Sequence, residues 1–265
     1  MKINWSVFTK AWKMPMAELA RHVQTLGFDG IELPIRPKYQ VEPDTIEAQL
    51  PQAVKILDDH GLKIFSVAAP TDERTIAACG QCGIKIIRVC EYTPYAQSYV
   101  ESEKQIIRKY EALVPLLEQH RVTIGLQNHC DDFIPHMAGC REIARHFSPR
   151  QVGIIWDVAH CALNGEDPEI AADIAWPHLV MVNWKNAFWQ RSNGPDAEVA
   201  TWQYYWTTGR QGKAPWGRCA AELIKRHYQG VVCLCAEYTD EAAVNRLTAE
   251  DIAYAKSLLN PTIST

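Results

Sequence analysis

One cadence repeats through the chain: an amphipathic helical pattern closes near Gly or His, and a β-branched apolar run follows within a few residues. Instances are QTLGFDGIEL (24–33), ILDDHGLKIFSVAAP (56–70), AACGQCGIKIIRVC (77–90) and LLEQHRVTIGL (116–126). Further on come REIARHFSPRQVGIIWDVAH (141–160), IAWPHLVMVNW (174–184) and IKRHYQGVVCLCAEY (224–238). With INWSVF (3–8) as the first, eight short apolar runs are separated mostly by helical pattern. Such alternation requires parallel strand pairing through right-handed crossovers. The runs are nearly continuous in Val, Ile, Leu and Cys, as strands covered on both faces must be.

Eight such units, spaced by about 30 residues, predict an α/β fold of one kind, a closed (β/α)8 TIM barrel, over an open doubly wound sheet. A barrel of ~250 residues fits the 265-residue, 47% hydrophobic chain without remainder. No linker or low-complexity stretch cuts it, so a single domain over 1–265 is expected. The glycine fingerprint of dinucleotide-binding folds is missing after the first run. One stretch breaks the cadence: NAFWQRSNGPDAEVATWQYYWTTGRQGKAP (186–215), an insertion long enough to suggest a functional loop.

A formal net charge of -4 with no Lys/Arg-rich run gives no footprint for a phosphate backbone, which argues against nucleic acid as a partner. MKINWSVFTK has no signal-peptide apolar region, and no stretch nears the ~20 apolar residues of a membrane span, so a soluble protein without a membrane partner is expected. Nine scattered cysteines, several inside apolar runs, suit a reducing cytoplasm. Cys79 and Cys82, in CGQC, find no second CxxC at zinc-ribbon spacing and read as ordinary buried thiols.

In a barrel of this kind the chemistry gathers at the C-terminal strand ends, so polar residues closing the runs form one constellation. They are Glu32, Glu91, Gln127 with His129, Asp157 with His160, then Asn183, Lys185 and Asn186, and finally Glu237. Asp157 follows GIIW with no turn residue between, and Glu237 follows VVCLCA. A carboxylate in such surroundings is costly unless a cation or donors meet it, so two at one mouth suit a divalent cation or a pair of acid/base groups.

The motifs GFDGIEL, LQNH, WDVAH and AEY resemble those of the xylose-isomerase-like TIM barrel superfamily, the sugar phosphate isomerase/epimerase group, along essentially the whole chain. The resemblance implies a sugar isomerase or epimerase and a divalent metal, Mn2+ or Mg2+, held by the strand-end positions Gln127, Asp157, Asn183 and Glu237. Asp157 and Glu237 match the family by type. Gln127 stands where Glu is usual and Asn183 where His is usual, which removes a charge and a base and makes an all-oxygen site that disfavours zinc. His160 matches a histidine that contacts substrate oxygens in related epimerases.

Five Trp residues crowd 184–216: Trp184, Trp189, Trp202, Trp206 and Trp216. With Lys185, Arg191 and Arg210 interleaved, they suit stacking on a sugar ring, and equally a contact with a second copy of the chain. The resulting expectation is proton abstraction next to the carbonyl of a keto-sugar. Glu237 is the first choice of base, with His129 or Glu32 as counterpart, and Lys185 and His160 as oxyanion partners. Substrate contacts are expected from Glu32, Glu91, Trp156, Asn186, Trp189, Arg191, Trp206 and Arg210. Loss of a hydroxyl after the same abstraction, in a dehydratase or a lyase for keto-glycosides, is the alternative. A third reading is a sugar-binding barrel whose metal site has decayed. Endonuclease IV-like repair needs His-rich metal ligands and a basic face, neither of which the chain shows.

Overall fold

The computed structural model describes residues 2–259. Ten strands occur in chain order: β1 (Ile3–Phe8), β2 (Gly30–Pro34), β3 (Lys63–Ala68), β4 (Ile86–Val89), β5 (Thr123–Gln127), β6 (Val152–Asp157), β7 (Leu179–Trp184), β8 (Asn186–Arg191), β9 (Trp202–Thr207) and β10 (Gly230–Cys235). All but β8 and β9 close into a parallel barrel in the order β1-β10-β7-β6-β5-β4-β3-β2. These eight are the eight apolar runs of the sequence. Between and after them run α1 (Met16–Thr25), α2 (Ile46–Asp59), α3 (Glu73–Gln81), α4 (Tyr99–His120), α5 (Met137–Ala144), α6 (Val158–Leu163), α7 (Pro168–Ala175), α8 (Trp216–Lys225) and α9 (Val244–Leu259).

The period of two sorts each strand into two cores. Ile154 and Trp156 of β6 face outward with Val7, Leu33, Val182 and Leu234, against apolar helix residues such as Leu19, Leu50 and Leu57. Ile155 faces inward with Phe8, Ala68, Met181, Cys233 and Cys235. Each large side chain buried in the outer layer contributes roughly 1.5–3 kcal/mol relative to exposure. The inner layer is tight: a Cβ added at Gly125 would lie 2.5 Å from Ile155 Cδ1. Helices α1 and α2 end at Gly27 and Gly61 with φ of 79° and 71°, the left-handed closure that glycine takes without strain.

The stretch 186–215 holds more order than a loop. Its strands β8 and β9 pair antiparallel, from Asn186 opposite Thr207 to Arg191 opposite Trp202. No helix among the described residues is long and apolar enough to cross a membrane. All nine cysteines are free. Cys79 is buried in α3, where burial pushes its thiol up to about 12 and leaves it unreactive at neutral pH.

Candidate active site

Register brings the strand ends together. Asp157 pairs with Asn183 across β6 and β7, Asn183 with Cys233 across β7 and β10, and Gln127 with Ile155 across β5 and β6. Inward-facing Gln127, Asp157 and Asn183 therefore share one buried tier, and Lys185 and Glu237 stand two residues past the last inward positions of β7 and β10. Gln127 organises the tier. Its Oε1 accepts from Asn183 Nδ2 at 3.0 Å and from Arg88 Nη1 at 2.7 Å, while its Nε2 donates to Asp157 Oδ2 at 2.8 Å. Asp157 Oδ1 meanwhile accepts from the backbone N–H groups of Ala159 and His160, capping α6. Asn128 fixes the same segment, its Oδ1 accepting from Asp157 N–H and its Nδ2 donating to Asp157 O.

Below this tier lies a buried ion pair. Arg88 Nε donates to Glu32 Oε2 at 2.7 Å, and Ser66 Oγ donates to Glu32 Oε1 at 2.9 Å. Arg88 also lies 4.5 Å from the Phe8 ring centroid. Burial alone would lower its pKa, but Glu32 more than offsets this and keeps the guanidinium charged.

Lys185 is the central cation. Its Nζ lies 2.9 Å from Glu237 Oε2, 3.6 Å from Asp157 Oδ2 and 4.5 Å from the ring centroid of Trp206. Burial works against its charge, yet the two carboxylates outweigh it and hold the pKa well above the ordinary lysine value. Lys185 is therefore an ammonium, unable to attack a carbonyl as a free amine. Burial likewise favours protonated Glu237, but Lys185 and then Lys10, whose Nζ is 2.9 Å from Oε1, keep it a carboxylate far below the usual range. At Asp157 burial prevails and raises the pKa, opposed by Lys185 and the backbone donor of His160.

Two imidazoles face each other with ring centroids 3.9 Å apart. Burial, followed by Lys185, lowers the pKa of His129 to about 4 and that of His160 well below 6.5, so both are neutral at pH 7. Their tautomers are opposite. His160 Nδ1 accepts from Cys130 N–H at 3.1 Å, which places its proton on Nε2. His129 Nδ1 donates to Cys130 O at 2.6 Å, which leaves its Nε2 as an acceptor. Linkage follows directly: both folded values lie below 6.5, so the unfolded chain takes up these protons first. Their contribution to stability is complete above about pH 6.5 and is lost as pH falls toward 4. The urea midpoint should thus drop between about pH 7.5 and pH 5, and His129→Asn should flatten the slope; an unchanged midpoint in the native chain would contradict the assignment of neutral rings.

The hairpin roofs this assembly. Trp206 packs its ring 5.5 Å from that of His160, and Trp206 and Tyr204 cover Cys130, Leu163 and Ala187. Trp206 N–H donates to Thr239 Oγ1, and Thr239 N–H donates back to Trp206 O, which ties β9 to the segment carrying Glu237. A cavity of about 460 Å³ opens at the barrel mouth, lined by Phe8, Arg36, Arg88, Gln127, His129, Lys185 and Glu237 among others. It continues at Lys10, His129 and Glu237 into a second hollow of about 660 Å³ bounded by Tyr39, Tyr204 and Trp206. Both volumes suit a small-molecule ligand. Three buried polar atoms here have no hydrogen-bond partner among the described residues: Arg88 Nη2, His160 Nε2 and Asn183 Oδ1.

Several residues expected to touch substrate are turned elsewhere. Glu91 lies past β4 and accepts from Lys109 Nζ and Tyr110 Oη of α4, outside the barrel mouth. Trp156 is fully buried in the outer core, because it alternates with the inward Ile155 and Asp157. Asn186 is a buried clamp, bonded to Gly209 O and Ala214 O through Nδ2 and to Ala187 N and Ala214 N through Oδ1. Trp189 Nε1 donates to Leu163 O and fastens the hairpin, Arg191 bonds Asn193 at the hairpin tip, and Arg210 stacks on Tyr254 of α9. Glu32 is in the interior but one tier too deep to line the cavity. Arg88, Lys10, Arg36 and Phe8 line the cavity without having been marked in the sequence.

The four positions expected to hold a metal fit a divalent ion poorly. Glu32, Asp157 and Glu237 already face Arg88, Lys185 and Lys10, three charges of each sign. A divalent ion would have to enter beside Lys185, whose ammonium already meets both strand-end carboxylates. Among the described residues one other group could hold an ion: His129, Cys130 and His160, with ligand atoms within 4.8 Å of one another. There His160 could ligate through Nε2 only by moving its proton to Nδ1, opposite the Cys130 N–H that Nδ1 now accepts.

Solved structures with the same fold include D-psicose 3-epimerase from Clostridium cellulolyticum, with a TM-score of 0.74 at 12% identity over 97% of this chain and 99% of that one. A 3-keto-D-glucoside 4-epimerase from E. coli matches with a TM-score of 0.73 at 15% identity over 97% and 100%. The probable 3-DHS dehydratase of petrobactin synthesis from Bacillus anthracis gives 0.73 at 16% identity over 98% and 99%. No curated protein sequence matches the chain. Residues 20–258 match the xylose isomerase-like TIM barrel family, and the chain belongs to that family.

Proposed function

We propose that this protein is an enzyme that moves a proton next to the carbonyl of a keto-sugar derivative, as an isomerase or epimerase, with the Lys185 ammonium standing where the family resemblance implies a divalent ion. The observation that carries this reading is the position of Lys185 Nζ between Asp157 and Glu237, the two metal-type carboxylates of the family pattern. Similarity to a D-psicose 3-epimerase and a 3-keto-D-glucoside 4-epimerase supports the reaction class.

In this scheme a substrate carbonyl oxygen takes an N–H of Lys185, releasing Glu237 Oε2 from that bond. Glu237 then removes the adjacent C–H proton, and the electron pair moves onto the oxygen to form an enediolate held by the Lys185 ammonium. Glu237 returns the proton to the neighbouring carbon in isomerisation; in epimerisation a solvent-derived proton delivered through His129 Nε2 reaches the other face, and Glu237 releases its own proton to solvent. In the resting complex His129 Nε2 accepts a hydrogen bond from a substrate hydroxyl, and Trp206 covers the ammonium.

A dehydratase is the second reading. Gln127 favours it, because an amide cannot serve as the second carboxylate base and elimination needs a single abstraction; the fold likeness to a probable 3-DHS dehydratase adds support.

Ketoses incubated with the protein in D2O after exhaustive dialysis against EDTA should gain deuterium at the carbon next to the carbonyl, seen by NMR. A dehydratase would instead release water and leave a conjugated product. Exchange that vanishes with EDTA and returns with Mn2+ would sink the lysine scheme. Absence of any exchange or elimination across a panel of keto-sugars and keto-glycosides would favour a barrel that only binds.

A further inference from the structure

The charges that meet under the mouth leave one cation over. Arg36 lines the same cavity, 5.8 Å from the Phe8 centroid to its guanidinium carbon, and its side chain makes no hydrogen bond or ion pair with the described residues. Arg88 lies on the same ring; its Nε and Nη1 are used by Glu32 and Gln127, and its buried Nη2 has no partner. Gln127 and Asp157 stand between this arginine pair and Lys185.

We propose that Arg36 and Arg88 form, around the Phe8 ring, a subsite for an anionic group on the substrate, a carboxylate or a phosphoryl group. The proposal rests on the keto-sugar reading and narrows it to an acidic or phosphorylated sugar derivative. Charge is the first argument. The cavity wall carries Lys10, Arg36, Arg88 and Lys185 against Glu237 alone, in a chain whose net charge is -4. Even with Glu32 and Asp157 added from below, the wall stays positive by one. A concave surface of one sign focuses its field on a ligand of the other.

Geometry is the second. A guanidinium presents planar paired donors that match carboxylate and phosphate oxygens, and both of these lie over the Phe8 ring, 5.8 and 4.5 Å from its centroid. The segment carrying Arg36 is braced: its N–H donates to Val41 O, its O accepts from Tyr39 N–H, and Pro37 follows. The residue before a proline is held extended, so Arg36 projects from a fixed backbone.

The test is isothermal titration of the full chain and of Arg36→Gln with four probes: inorganic phosphate, D-fructose, D-fructose 6-phosphate and D-fructuronate. At least one charged ketose should bind about tenfold or more tightly than D-fructose, with inorganic phosphate competing and added salt weakening it. Preference for the phosphate ester or for the uronate identifies the anion. Arg36→Gln should cut the affinity of the preferred anion about tenfold and leave D-fructose within about twofold. Equal binding of neutral and charged ketoses, an equal loss for all of them in Arg36→Gln, or no binding by any charged probe would overturn the subsite. Phosphate binding that is lost in Arg36→Gln, in a protein that neither exchanges ketose deuterium nor eliminates water, would leave the subsite standing and remove the enzymatic reading.

Discussion

Lys185→Met should lower turnover of an accepted ketose by about a hundred- to a thousandfold, the scale of losing a preorganised donor at a developing oxyanion. Methionine keeps the length of the stem and its place under Trp206 while deleting the ammonium. The loss should fall on kcat more than on KM, because the charge on the oxygen grows only as the proton leaves. With the cation gone, Asp157 and Glu237 face each other unbridged, and the variant should bind Mn2+ more tightly than the native chain does, as read by electron paramagnetic resonance. Near-native kcat in a folded Lys185→Met protein, or tight stoichiometric Mn2+ in the native one, would end the case for the lysine.

The largest effect on stability is expected from Glu32→Leu. Glu32 is fully buried and Arg88 nearly so, and removing the carboxylate leaves the guanidinium with Gln127 alone while Ser66 Oγ loses its acceptor. Breaking a buried pair from one side costs about 3–5 kcal/mol, whereas replacing both partners with apolar groups is often close to neutral. Urea unfolding should therefore show a large loss for Glu32→Leu and recovery of most of it in Glu32→Leu with Arg88→Met. A single variant within about 1 kcal/mol of the native chain would mean that water or rearranged side chains satisfy Arg88, and that the pair does not brace the barrel.

How much of this was legible in the residues follows from physical range. Strand existence was, because eight doubly covered strands leave eight apolar runs whatever their partners. So was the set Gln127, Asp157, Lys185 and Glu237, since a polar side chain ending such a run has few places to go. Trp156 departs from the expected substrate contact for the same reason that Asp157 meets its expected place: adjacent residues of a strand face opposite sides, and the inward position of one sends the other to the helices. Asn186 and Arg210 depend on long-range partners, Ala214 and Tyr254, which no local pattern reveals. Arg88 did leave a signal. A charged residue inside IIRVC, in a run otherwise continuous with the barrel, demands a buried counterion, and Glu32 was the available one. The hairpin was hidden because its strands run from a buried base to an exposed tip and turn over SNGPDAEV, a composition that reads as loop.

The amide at 127 has a consequence for descent. Its nitrogen donates to Asp157 while its oxygen receives Arg88 and Asn183, so each head of the side chain is committed. A glutamate introduced there alone would turn an oxygen toward Asp157 Oδ2 and set two carboxylates against each other. A histidine at 183 would take away the donor to Gln127, and losing Lys185 first would strand both strand-end carboxylates. Each single step from this arrangement toward the metal-type pattern thus leaves a buried charge or donor unmet unless a cation enters with it.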